Sequence, residues 1–133
     1  MNPDRHLINL IKKQANVQLI ANPESKAMDE LISNAHINLL YSDQSTGLKL
    51  KLINALYKGR FCLVNDTMLH GVKLENTCHK ANSAKEFAVM IEYLFNQTFT
   101  DADIQLRKDI LDSEFSNASN AEKLVKLIFD SND

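Results

Sequence analysis

Apolar residues fall along the chain in two registers. Compact apolar blocks stand at 17–21 (Val17-Gln18-Leu19-Ile20-Ala21), 37–41 (Ile37-Asn38-Leu39-Leu40-Tyr41) and 61–64 (Phe61-Cys62-Leu63-Val64). Blocks of this length suit strands, and a nearly unbroken run suits a strand covered on both faces. Between the blocks the apolar positions recur at helical spacing. Leu7, Ile8, Leu10 and Ile11 predict a helix over 3–14, with Pro3 in its first turn. Asn22-Pro23 predicts a helix start, and Met28, Leu31, Ile32 and Ala35 then recur at i, i+3, i+4 and i+7 as one buried face. A central amphipathic helix ends near Lys58. Ser83-Ala84-Lys85-Glu86 reads as a capping box ahead of Phe87, Met90, Ile91 and Leu94. Thr100 opens a further helix, with Asp101 and Asp103 at its positive end. Ser119-Asn120-Ala121-Glu122 reads as a second capping box, ahead of Leu124, Val125 and Ile128. Residues 65–76 have no periodicity and read as a loop marked by Asn65-Asp66 and Gly71, and 79–81 reads as a weak strand.

Short apolar strands alternating with helices predict an α/β fold, a Rossmann-like, mostly parallel sheet flanked by helices. An all-α fold competes, because five-residue apolar blocks also occur inside helical proteins. The 133 residues suit a single domain over 1–133 with a core of its own. A net charge of −2 gives no reason to expect a nucleic-acid partner, which would want a basic surface. Cys62 and Cys78 lack metal-ligand spacing, and Cys62 falls inside a buried-strand pattern, so both read as reduced thiols of a cytoplasmic protein. No apolar run approaches a membrane span, and no signal peptide is visible.

The candidate chemistry centres on Ser45-Thr46-Gly47-Leu48-Lys49-Leu50-Lys51, a polar glycine turn between a strand and a helix. Free N–H groups and the helix dipole both favour an anion at such a place. Lys49 and Lys51 lie where the dipole disfavours cations, and a bound anion would offset that cost. The plainer reading makes both lysines solvated residues of a surface helix.

The stretch Gly47, Lys51, Ala55, Leu56 and Gly59 resembles the donor-side segment of GT-B glycosyltransferases, Gly-x-x-x-Lys-x-x-Glu-Ala-(Met/Leu)-x-x-Gly. The similarity to a bacterial group of these enzymes continues through Arg60-Phe61-Cys62-Leu63-Val64-Asn65 and His70-Gly71, and covers roughly residues 15 to 130. The resemblance implies the C-terminal, donor-binding part of a GT-B enzyme, lacking the first strands of its donor domain and the acceptor-binding N-terminal domain. Ser45, Thr46, Gly47 and Lys51 would then hold the diphosphate of a nucleotide-sugar, and Lys51 would stabilise it as it leaves, the catalytic role. His70 and Gly71 would lie near the donor. Asn54 stands where the family has a Glu that accepts from ribose hydroxyls; Asn accepts without a charge, or simply occupies a half-buried helix position. No cofactor and no metal is implied. The resemblance allows peripheral membrane association of the full-length enzyme. A sheet begun part-way would leave an edge near 17–21 or 37–41 open to a second copy.

Other constellations are weaker. His70 reads equally as a surface residue, and His6, His36 and His79 are scattered. Asp43 and Asp66 end strands as a receiver domain's acids do, but Asn22-Pro23 stands where that domain needs an acidic pair. Tyr41, Tyr57 and Phe61 read as core. A non-catalytic nucleotide- or phosphate-binding module and an α/β interaction domain without a ligand are the alternatives to the transferase.

Overall fold

A computed structural model describes residues 4–47 and 49–129. Its backbone divides into two compact units, one up to Leu31 and one from Ile32 onward. The first holds α1 (Arg5–Ile11) and most of α2 (Ser25–Asn34). Asp4 caps α1 by accepting from the His6 N–H, while Pro3 lies outside the described residues. The block at 17–21 is irregular and forms no strand. An apolar run of five becomes a strand only where a neighbouring strand takes up its backbone groups, and 17–21 joins no ladder. Asn22 takes a left-handed φ of 48°, so α2 starts at Ser25, after the Asn-Pro turn rather than in it.

The second unit is an α/β arrangement. Three parallel strands, β1 (Ile37–Leu40), β2 (Phe61–Val64) and β3 (His79–Lys80), lie in the order β1-β2-β3. Ile37 stands opposite Phe61, and Leu63 opposite His79. The central strand β2 is buried at all four positions, as its unbroken apolar run predicts. Alternation sends its side chains to two separate cores. Cys62 and Val64 join Leu52, Ala55 and Leu56 of α3 (Leu50–Lys58), with Leu111 of α6 (Asp101–Phe115). Phe61 and Leu63 join Leu94 of α5 (Ala84–Phe95) and Ala81. Helices therefore cover both faces of the sheet.

The connection at 65–76, expected as plain loop, carries α4 (Asp66–Leu69) and a 3₁₀ turn, Glu75–Thr77. It buries Met68, Leu69 and Leu74 in the first core. One helical turn is too short to show a period in sequence. Ser83 caps α5 by accepting from the Glu86 N–H, but the Glu86 carboxylate reaches one residue further back, to the Asn82 N–H at 2.7 Å. The reciprocal capping box belongs instead to Thr100 and Asp103 at the start of α6. α7 (Asn117–Phe129) starts two residues before Ser119, so the predicted box at 119–122 lies inside a helix. Its apolar residues Leu124, Val125 and Ile128 are exposed, as are Tyr41 and Tyr57, whereas Phe61 is core.

Two tertiary locks fix α3 against the sheet. Gly59 ends α3, and a Cβ there would run into the Asn38 amide and lie 2.8 Å from the Ala55 carbonyl oxygen, so the close approach requires glycine. Asn38 is itself held by donating from Nδ2 to the Ile32 carbonyl at 3.2 Å. Arg107 of α6 reaches the same helix end. Its guanidinium donates to the carbonyls of Leu56 (3.1 Å), Gly59 (2.9 Å) and Arg60 (2.6 Å), and sits 4.8 Å above the centre of the Phe99 ring. The last carbonyls of a helix lack intrahelical donors, and one planar fork here serves that of Leu56 together with the two just past the helix.

Burial pushes the Cys62 thiol up to about 12 from its ordinary 9.0, against a smaller opposing effect of Arg107. Between pH 9 and 12 the unfolded chain has lost a proton that the folded chain keeps, so stability falls as pH rises through that window, by up to about 1.4 kcal/mol per pH unit for one thiol. Urea midpoints measured from pH 7.5 to 10 are expected to fall for the native chain and to fall less for Cys62→Val. Parallel curves would contradict the assignment.

Candidate functional site

Because the strands are parallel, their carboxyl ends share one edge of the sheet, where open α/β sheets place ligands. The loop 41–49 leaves β1 there, Asn65-Asp66 leaves β2, and Ala81-Asn82-Ser83 leaves β3. Two amide side chains stitch these exits together. Buried Asn65 accepts from the Ser42 N–H (3.1 Å) and donates to the Ser42 carbonyl (2.8 Å), as a neighbouring strand would. Asn82 does the same one strand over, accepting from the Asp66 N–H (3.0 Å) and donating to the Asp66 carboxylate (2.8 Å). Lys80 stands 3.3 Å from the other Asp66 oxygen. The Asn82 hydrogen bond, followed by Lys80, holds the Asp66 carboxyl below its ordinary value, so Asp66 is an anion at neutral pH.

The β1–α3 loop is shaped by its own polar groups. The Ser42 hydroxyl donates to the Gln44 carbonyl and accepts from the Gln44 N–H. Ser45, Thr46 and Gly47 are exposed. Gly47 has φ of +89°, with nothing within 4 Å of where a Cβ would stand, so backbone conformation rather than crowding calls for glycine there. Leu48 lies outside the described residues. Lys49 occupies the N-cap of α3 and supplies no capping side-chain bond, since lysine carries no acceptor. The first N–H groups of α3 thus gain no capping bond from that side chain.

The two lysines fold back over this loop. Lys49 is buried and donates to the Gln44 carbonyl at 3.1 Å. Exposed Lys51 donates to the Tyr41 carbonyl at 3.1 Å, an ammonium with three protons and one of them so placed. Asn54 lies one turn further along α3 and is half-buried. Ser45, Thr46, Gly47 and Lys51 are therefore gathered on one loop and helix start. His70 and Gly71 sit elsewhere, on the β2–β3 connection just past α4. Both are exposed, and Gly71 is left-handed at φ +80° with open space around it. Asn65, Asn82 and Arg107 take structural parts that the sequence reading did not assign. A signal existed for Arg107: it stands four residues before buried Leu111 on one face of α6.

Among the described residues no group of three or more His, Cys, Asp or Glu side chains is placed to hold a metal, and no helix is long and apolar enough to cross a membrane. Compared with known protein families, curated proteins and solved structures, the chain gives no match.

Proposed function

We propose that the chain is the donor-binding part of a GT-B-type glycosyltransferase with a Rossmann-like sheet, and that the Ser45–Lys51 segment holds the diphosphate of a nucleotide-sugar. The observation that carries this reading is the position of left-handed, uncrowded Gly47 between the carboxyl end of a parallel strand and the start of α3. Backbone N–H groups at that helix start and the Lys51 ammonium would stabilise charge as it develops on the leaving diphosphate. Serine and threonine hydroxyls at 45 and 46 would donate to phosphate oxygens. Rotation of Lys51 away from the Tyr41 carbonyl frees its ammonium for a phosphate oxygen, trading a neutral acceptor for a charged one. The order strand, glycine turn, helix, strand agrees with the sequence resemblance on which the choice of transferase rests. The β1 edge pairs only with β2 in the described sheet and carries exposed Leu39, a place for a second copy or another domain to add.

One observation favours a second reading, a nucleotide- or phosphate-binding module without catalysis. Neutral Asn54 replaces the acid that similar enzymes use for ribose. Transfer assays with a panel of nucleotide-sugars separate the two. The full-length gene product is expected to transfer sugar and the 133-residue chain alone is not, because the acceptor must be held in near-attack geometry by another domain. Robust transfer by this chain alone would overturn that division of labour, and binding without transfer by the full-length product would favour the module.

A further inference from the structure

A second concavity lies away from this edge, where α3 ends and β2 begins. A cavity of about 560 Å³ opens there between α3 and α6. This is within the range of roughly 300–1,000 Å³ common for small-molecule sites. Its walls are apolar: Leu56, Tyr57, Phe99, Ile104 and Leu111. Its charged lining is Lys58, Arg60, Arg107 and Lys108 against a single carboxylate, Asp112. That excess of cations stands in a chain whose net charge is −2.

The helix end accounts for part of it. The negative end of the α3 dipole attracts Lys58 and Arg60. Arg107 spends its guanidinium on the Leu56 carbonyl of that helix end and on the Gly59 and Arg60 oxygens just past it, and stays buried. Lys108 lies in the middle of α6, where no helix terminus places a cation. Asp112, one turn along, offsets one charge, and Arg60 with Lys108 still leaves the lining positive without counting Lys58 or Arg107. An apolar pocket rimmed by surplus positive charge fits a molecule with an apolar body and one anionic end. A polyphosphate would find too much apolar wall, and a neutral molecule would leave Arg60 and Lys108 facing Asp112 alone.

We propose that this cavity binds a small organic monoanion, an aromatic or branched carboxylate, with its body against Tyr57, Phe99 and Ile104 and its carboxylate held by Arg60 and Lys108. The site is separate from the Gly47 loop and does not depend on the glycosyltransferase reading. The test is an NMR titration of the 133-residue chain with 3-phenylpropionate, beside its neutral isostere 3-phenylpropanamide. Saturable shifts are expected at residues 57–60 and 99–108. The amide is expected to bind at least about tenfold more weakly, and an Arg60→Gln/Lys108→Gln variant to lose about tenfold for the carboxylate. Both arginine and lysine positions are exposed, so the variant keeps the fold, and the amide comparison uses the unaltered protein in any case. Equal affinity for acid and amide, shifts confined to other regions, or no saturable binding would each overturn the proposal.

Discussion

Arg107→Met is expected to destabilise the chain by about 3 kcal/mol, a large share of the 5–15 kcal/mol that holds a typical domain. Methionine fills much of the volume but donates nothing. Three carbonyls in and just past the last turn of α3 lose their donor at once, those of Leu56, Gly59 and Arg60. The Leu56 bond is fully buried, so water does not replace it without opening the α3–α6 contact. An unsatisfied buried acceptor costs about 1–3 kcal/mol, and the two partly buried ones cost less. Loss of the guanidinium over the Phe99 ring adds to this, and Phe99 in turn stands edge-on to Phe61 at 5.1 Å. Arg107→Lys is expected to recover only part of the loss, because one ammonium does not reproduce the planar fork. Urea unfolding followed by circular dichroism reads the effect as a lower midpoint with unchanged slope. A change below about 1 kcal/mol would mean that the three bonds are not a structural lock.

Lys51→Ala is expected to act the opposite way, sparing stability and removing function. Lys51 is exposed and lies in the first turn of α3, where the dipole opposes a cation, so its removal changes stability by about 0.5 kcal/mol or less. Under the proposed function its ammonium meets charge that grows on the diphosphate as the sugar departs. Removing one such stabiliser lowers the rate about 10²–10³-fold. Steady-state kinetics on the full-length enzyme, beside thermal unfolding of the same variant, separate the two effects. Turnover within about twofold of the native enzyme, well short of that range, would remove Lys51 from the chemistry.

The strands and helices that carry long patterns are legible in the sequence. β2 announced itself as Phe61-Cys62-Leu63-Val64, an apolar run that only a two-sided cover explains, and α6 by Thr100 with acids in its first turn. The block at 17–21 looked equally strand-like, yet a strand is defined by its neighbour, and local sequence does not show one. The apolar residues expected on the last helix, Leu124, Val125 and Ile128, are there but exposed among the described residues. Apolar spacing sets which face is greasy, not whether something lies against it. Buried Met68 and Leu74 were hidden for a different reason, since a single helical turn has no period. At the candidate site the glycine turn was visible, but the Asn65 and Asn82 clamps were not. They join residues 23 and 16 positions apart, and such pairings exist only once the parallel register is set. The fold-back of Lys49 and Lys51 onto loop carbonyls was likewise invisible, because spacing places a lysine on a helix turn and leaves its ammonium free to choose a partner.

The central claim is that the loop after β1 receives a diphosphate, and backbone NMR of the 133-residue chain titrated with UDP and with GDP tests it most directly. The account predicts weak but saturable shifts concentrated at residues 45–47 and 49–52, with smaller ones at 65–72, where the neighbouring strand exit stands. Shifts confined to residues outside 43–55 and 65–72 would contradict it.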